Sequence, residues 1–288
     1  MTTPGTPVAQ LRQLRTVLRK EREARGLTQK AVADALDWST SKVIRIEKGP
    51  VGISVTDLKA LLLQYRVTDE HRVDELVSMA RRAKQPGWWD EYRAYFRPQF
   101  ISFLGLEASS IRIRQLQNLT VPGLLQTAGY ARNVLMASYT NDPERTDRGV
   151  TVRLRRQEIL ESEETEFFFV LDESVLLRQV GDAEVMREQL RHLVELAARP
   201  NISIQILPFS AGRHRAMNSS FEIFELSEED NDYAMISERP LQDELYDEPS
   251  PETREYVQMF MELEHLALPV AESVQLIEKV IAQTGGVS

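Results

Sequence analysis

Leu27-Thr28-Gln29-Lys30-Ala31-Val32-Ala33-Asp34-Ala35-Leu36, then Asp37-Trp38-Ser39, then Thr40-Ser41-Lys42-Val43-Ile44-Arg45-Ile46-Glu47-Lys48-Gly49, is the stretch that decides how this chain is read. It predicts two short capped helices joined by a tight turn. Thr28 and Ser39 stand where hydroxyl oxygens accept from the free N–H groups of a first helical turn. In the first helix Ala31, Val32, Ala35 and Leu36 form the apolar side; in the second, Val43 and Ile46 face inward. The second helix carries small polar and basic residues on its other side. A helix of that kind can lie in the major groove of DNA.

Working outward, the flanks agree with that reading. Leu11, Leu14 and Leu18 predict a helix over 9–25, stopped by Gly26. Gly49-Pro50 ends the third helix. Ser54 or Thr56 opens a fourth, with Leu58, Leu61, Leu62 and Tyr65. A fifth runs from Asp69 to Lys84. Five helices within residues 1–85 make a compact bundle. Gln85-Pro86-Gly87 breaks the pattern, and Trp88, Trp89, Tyr92, Tyr95 and Phe96 follow at once. We read 86–98 as an aromatic linker that docks one domain on another. Residues 99–288 alternate between strand and helix patterns. Strands are expected near 111–113, 166–171, 201–207, 221–226 and 233–236. Helices are expected over 127–138, 151–162, 182–199, 251–268 and 270–283. The expected fold class is therefore α+β, with an all-α five-helix N-terminal bundle and a mixed α/β C-terminal domain.

Charge supports the division. The whole chain has a formal net charge of −9. Residues 1–85 hold 16 Lys+Arg against 10 Asp+Glu, and the remainder holds 19 against 34. A basic head suits phosphate contacts whatever the total charge. There are no cysteines, so disulfides and thiolate metal sites are excluded. No apolar run is long enough to span a membrane, and the N-terminus lacks the apolar core of a secretion signal, so a cytoplasmic protein is expected.

On the third helix Thr40, Ser41 and Arg45 share one face. Arg45 suits a guanine edge, the hydroxyls suit several bases, and Lys42 suits a phosphate. Thr28 and Gln29 stand at a helix N-terminus, where phosphates are favoured. Elsewhere, the basic loop Arg213-His214-Arg215 follows a strand and is a candidate effector site. The four histidines have no metal-ligand spacing, and neither a phosphate-binding glycine loop nor a nucleophile elbow occurs. No catalytic group, cofactor or metal is expected, and the chain is read as not an enzyme.

Residues 10–66 resemble the XRE-type helix-turn-helix domain of phage repressors and bacterial regulators, a lambda-repressor-like bundle. The resemblance rests on Leu27-Thr28-Gln29 with Ala33, and on Ser39, Ser41, Lys42, Val43, Arg45, Ile46, Glu47 and Gly49. It implies DNA contacts from Gln29, Thr40, Ser41 and Arg45, and a salt bridge between Arg22 and Glu47. Asp37-Trp38 departs from the small residues usual in that turn. Over nearly its full length the chain also resembles a group of actinobacterial regulators. The matches are Gly87-Trp88-Trp89, Val121-Pro122-Gly123-Leu124-Leu125-Gln126-Thr127 with Tyr130-Ala131, Arg155-Arg156-Gln157, and Ile204-Gln205-Ile206-Leu207-Pro208. Members are often encoded beside a small partner protein. This resemblance implies a transcriptional regulator of operator DNA with a small protein partner or effector at its C-terminal domain. A homodimer is expected because one recognition helix buries too little surface for tight, specific binding. The alternative is an antitoxin-like interaction protein that neutralises its partner and autoregulates its operon.

Overall fold

The computed structural model describes residues 6–48, 52–138, 142–228, 232–239 and 242–284. It forms two compact units, residues 1–109 and 110–288. The expected stop at Gly49-Pro50 lies outside the described residues.

The first unit begins with α1 (Pro7–Ala24), α2 (Gln29–Ala35), α3 (Thr40–Lys48), α4 (Val55–Gln64) and α5 (Glu70–Arg82). Caps set their starts. Thr28 Oγ1 accepts from Ala31 N, Ser39 Oγ from Lys42 N, Ser54 Oγ from Asp57 N and Asp69 Oδ1 from Arg72 N. The stops of α1, α2 and α4 share one device. Gly26, Asp37 and Arg66 all adopt positive φ, at 64°, 53° and 55°. Beyond each, the next N–H returns to a carbonyl inside the helix: Leu27 N to Arg22 O, Trp38 N to Ala33 O, Val67 N to Leu62 O. This is the 6→1 bond of a Schellman cap. Asp37 thus provides the left-handed residue that the turn between α2 and α3 requires, where glycine would be easiest. Leu14, Leu18, Val32, Val43, Leu58, Leu61 and Leu76 are buried together as the core.

The aromatic run expected as a linker belongs to this first unit. A 3-10 turn (Trp88–Tyr92) leads into α6 (Pro98–Glu107), a helix with no counterpart in the sequence reading. Trp88, Tyr92, Phe96, Phe100 and Phe103 follow one another with ring centroids 4.9–6.3 Å apart. Trp89 is 5% exposed. Gly87 lies so close beneath its indole that a Cβ there would meet the ring at 2.3 Å. The hydroxyls of Thr6 and Ser109 hydrogen-bond, joining the start of α1 to the end of α6.

The second unit is built on a six-stranded mixed sheet in the order β3-β2-β1-β4-β5-β6. The strands are β1 (Arg112–Gln117), β2 (Glu166–Asp172), β3 (Ile202–Leu207), β4 (Ser220–Glu225), β5 (Tyr233–Glu238) and β6 (Glu244–Tyr246). β1, β2 and β3 are parallel; β4, β5 and β6 continue antiparallel. Between β1 and β2 run α7 (Ala128–Ser138) and α8 (Pro143–Arg156); between β2 and β3 run α9 (Ser174–Leu177) and α10 (Ala183–Ala197). The chain closes with α11 (Pro251–Leu266) and α12 (Val270–Thr284). Parallel strands need cover on both faces. Phe167 and Phe169 of β2 are buried on one face, while Phe221 of β4 meets Tyr256 and Phe260 of α11 on the other. The outer edge of β3 is capped too: Ile206 N donates to Ser273 Oγ, and Leu268 N donates to Ile206 O. Capping blunts that edge against pairing with another strand. The α+β class expected from the sequence is the one observed.

Candidate nucleic-acid interface

One carboxylate orients α3. Glu47 is buried near the end of that helix and accepts from three side-chain N–H groups. Arg22 of α1 donates through Nε at 2.7 Å and Nη2 at 3.0 Å, and Gln29 of α2 donates through Nε2 at 2.8 Å. Arg22 Nη1 also donates to Leu27 O at 2.8 Å, inside the cap that ends α1. A bidentate arginine–carboxylate pair fixes geometry as well as charge. The pair that the resemblance implies between Arg22 and Glu47 is therefore brought together, with Gln29 as an additional member. The hydrogen bonds to Glu47 hold the Arg22 guanidinium pKa above its ordinary value. Burial, with the nearby Glu47 charge, pushes the Tyr65 phenol well above its ordinary value.

Val43, Ile46 and Glu47 turn inward. Thr40, Ser41, Ile44, Arg45 and Lys48 are exposed. At a helical repeat of 3.6 residues these five lie along one side. The Thr40 and Ser41 hydroxyls carry no internal hydrogen bond among the described residues, and Arg45 and Lys48 pair with no carboxylate there. Ile44, 40% exposed, and Lys48 were missed by the sequence reading. Their signal was their spacing, three and seven residues after Ser41.

The other sequence-predicted residues have more than one task. Thr28 and Ser39 are exposed, yet their hydroxyls serve as caps. The Gln29 nitrogen is on Glu47, which leaves its carbonyl oxygen open. Lys42 differs most from expectation. Its Nζ lies 2.7 Å from Asp57 Oδ1 and 3.7 Å from the centroid of the Trp38 ring. The ammonium is held between a carboxylate on α4 and an aromatic face. Burial raises the Asp57 carboxyl, but Lys42 and Ser54 outweigh it and leave the pKa below its ordinary value. The bulky Trp38 is accommodated in the turn, packed against the bundle core.

In the second unit, Arg215 is shared by Glu255 at 2.8 Å and Glu262 at 3.6 Å. Arg213 is exposed and has no carboxylate partner among the described residues. His214 is half-buried, and its Nδ1 has no hydrogen-bond partner. The three border an open cavity of about 530 Å³ with Met217, Met259 and Leu266. The segment 121–127 is held by its own neighbours. Gln126 donates to Val121 O at 2.6 Å and accepts from Arg153 Nη1 at 2.7 Å. Gln157 Nε2 reaches Gly123 O and Gln126 O, and Gln189 bonds Thr127 N and Leu125 O. These matched motifs fold one loop; their polar groups answer one another.

Comparison with known families places both units. Residues 100–279 match a family described as a domain of unknown function (DUF5753), and residues 9–76 match a helix-turn-helix domain. The chain belongs to the DUF5753 family. Its N-terminal unit carries a helix-turn-helix DNA-binding domain. Neither the curated proteins nor the solved structures yield a match. Among the described residues no helix is long and apolar enough to cross a membrane, and no group of potential ligands is placed to hold a metal ion.

Proposed function

We propose that this chain is a sequence-specific transcriptional regulator that binds double-stranded operator DNA as a homodimer and acts by binding, with no catalytic step. The observation that carries this reading is the side of α3 bearing Thr40, Ser41, Ile44, Arg45 and Lys48, left open while Arg22 and Glu47 anchor its other side. Arg45 has the fork that pairs with guanine O6 and N7, and Ile44 is suited to a thymine methyl. Lys48 takes the phosphate role first expected of Lys42. A single recognition helix reads too short a site for tight discrimination, which supports action in pairs. Such a role belongs in the cytoplasm.

The test is selection of bound duplexes from a random pool, followed by titration at one fixed salt concentration. Arg45→Ala loses about 1–3 kcal/mol on the selected site and relaxes preference at one base pair. Lys48→Ala weakens all sequences alike and lowers the salt slope by about one. Unchanged affinity and preference in Arg45→Ala refutes the groove assignment.

The reading extends to a small protein partner at the second unit. Leu119, Leu177, Phe209 and Met217 are each more than half exposed. They stand on the connections at one end of the sheet, after β1, β2 and β3 and before β4, with Leu177 the last residue of α9. Those loops are tied together: Ser174 Oγ donates to Asn118 O, Asn118 Nδ2 to Ala216 O, and Phe209 N to Glu173 Oε2. Exposed apolar groups held on a rigid frame suit a protein partner. Arg178 and Arg213 add cations without carboxylate partners among the described residues, so the partner offers acidic groups beside its apolar ones. Small proteins encoded beside the gene are titrated against the full chain and Phe209→Ser; equal binding to both refutes this part.

A further inference from the structure

We propose that the α4–α5 face of the first unit is the surface through which two copies of this chain pair. The proposal rests on the homodimer reading above and names its interface. Leu63, on the last turn of α4, is 74% exposed, the most exposed large apolar side chain among the described residues. Beside it a shallow depression of about 530 Å³ opens between α4 and α5. Val67 and Val73 border it, and the buried Leu62 forms part of its floor. A protruding leucine next to an apolar hollow is the relief that a twofold axis makes complementary. Each Leu63 enters the hollow of the other copy, and the same patch serves both partners.

The charges repeat the pattern. Lys59 precedes Leu63 by one turn on α4, and Glu70 and Asp74 stand one turn apart on α5. All three line the depression and are exposed. None makes an ion pair among the described residues, although opposite charges border the same hollow. A twofold partner supplies what each lacks: Lys59 of one copy faces Glu70 and Asp74 of the other, twice over. A surface built for an unrelated acidic or basic partner would carry one sign. This one carries both, plus on α4 and minus on α5, so a twofold that sets α4 of one copy against α5 of the other matches plus with minus. None of these residues belongs to the free side of α3, so pairing here leaves both recognition helices available to DNA.

The experiment is sedimentation equilibrium of the full chain, with stoichiometry on the selected duplex measured in parallel and circular dichroism as the check on folding. The parent chain shows a concentration-dependent monomer–dimer equilibrium. Leu63→Glu weakens it about 100-fold or more, because a charge replaces the buried anchor. Lys59→Glu weakens it about 10-fold, and the combined reversal Lys59→Glu, Glu70→Lys, Asp74→Lys returns it to within about 3-fold of the parent. A parent that pairs while folded Leu63→Glu pairs equally well refutes the surface and leaves the homodimer reading standing. A parent that stays monomeric and occupies a single half-site on DNA refutes both. Failure of the combined reversal to restore what Lys59→Glu lost refutes the twofold arrangement of charge.

Discussion

Replacing Arg22 by methionine tests the anchor of the recognition helix directly. Glu47 has no exposed side-chain surface, and Arg22 only 11%. The substitution removes two charged donors and leaves the carboxylate with the amide of Gln29. Stranding one member of a buried ion pair costs about 3–5 kcal/mol, so we take about 4 at pH 8.

Native-state hydrogen exchange on the peptides of α1 and α3, corrected for intrinsic rates, reads this in the intact chain. The double variant Arg22→Met, Glu47→Leu removes the stranded charge and should return to within about 1 kcal/mol of the parent. A deficit below about 1 kcal/mol at pH 8 refutes the claim that this pair orients α3.

The second turn of the motif offers a gain. Asp37→Gly relieves a left-handed residue and should add about 0.5–1 kcal/mol in the same exchange measurement, without altering the selected DNA sequence. Gly87→Ala drives a Cβ to 2.3 Å from the Trp89 ring and should cost about 1–3 kcal/mol; unchanged thermal unfolding would contradict that packing. His192 on α10 has a pKa lowered chiefly by burial. A depressed histidine adds stability that is present above its ordinary pKa and lost as pH falls through the folded value. Thermal scans from pH 7.5 down to pH 5 should thus show a steeper decline in the parent than in His192→Gln.

The fold was legible wherever a local signal governed it. Thr28, Ser39, Ser54 and Asp69 mark helix starts because a capping oxygen is a property of one residue and its next turn. The strands around Phe169 and Ile204 show in their apolar runs. Helix α6 was not legible. Its Phe100, Ile101, Phe103, Leu104 and Leu106 are apolar on nearly every side, so no helical period stands out, and the aromatic residues before it suggested a joint between domains. The left-handed backbone in the turn after α2 was not legible either, since Asp37 and Trp38 stand where small residues are usual. At the candidate interface, Arg45 was read from its type and position. The contacts of Lys42 were not legible because they depend on Trp38 and Asp57, one of them fifteen residues away.

Two charged side chains of α3 are fastened to the rest of the bundle. The half-buried Lys42 binds α4 at one end of the helix, and the buried Glu47 binds α1 with α2 at the other. Both are fastened by charge-assisted hydrogen bonds, which demand a narrower geometry than apolar packing does. The hydrophobic contacts of Val43 and Ile46 would tolerate some rotation of the helix; the two ion pairs would not. Rotation by one residue, 100°, would carry Glu47 away from Arg22 and Arg45 out of the exposed row. The polar anchors therefore decide which five side chains reach solvent, and the reading face of α3 is set by residues that do not belong to it.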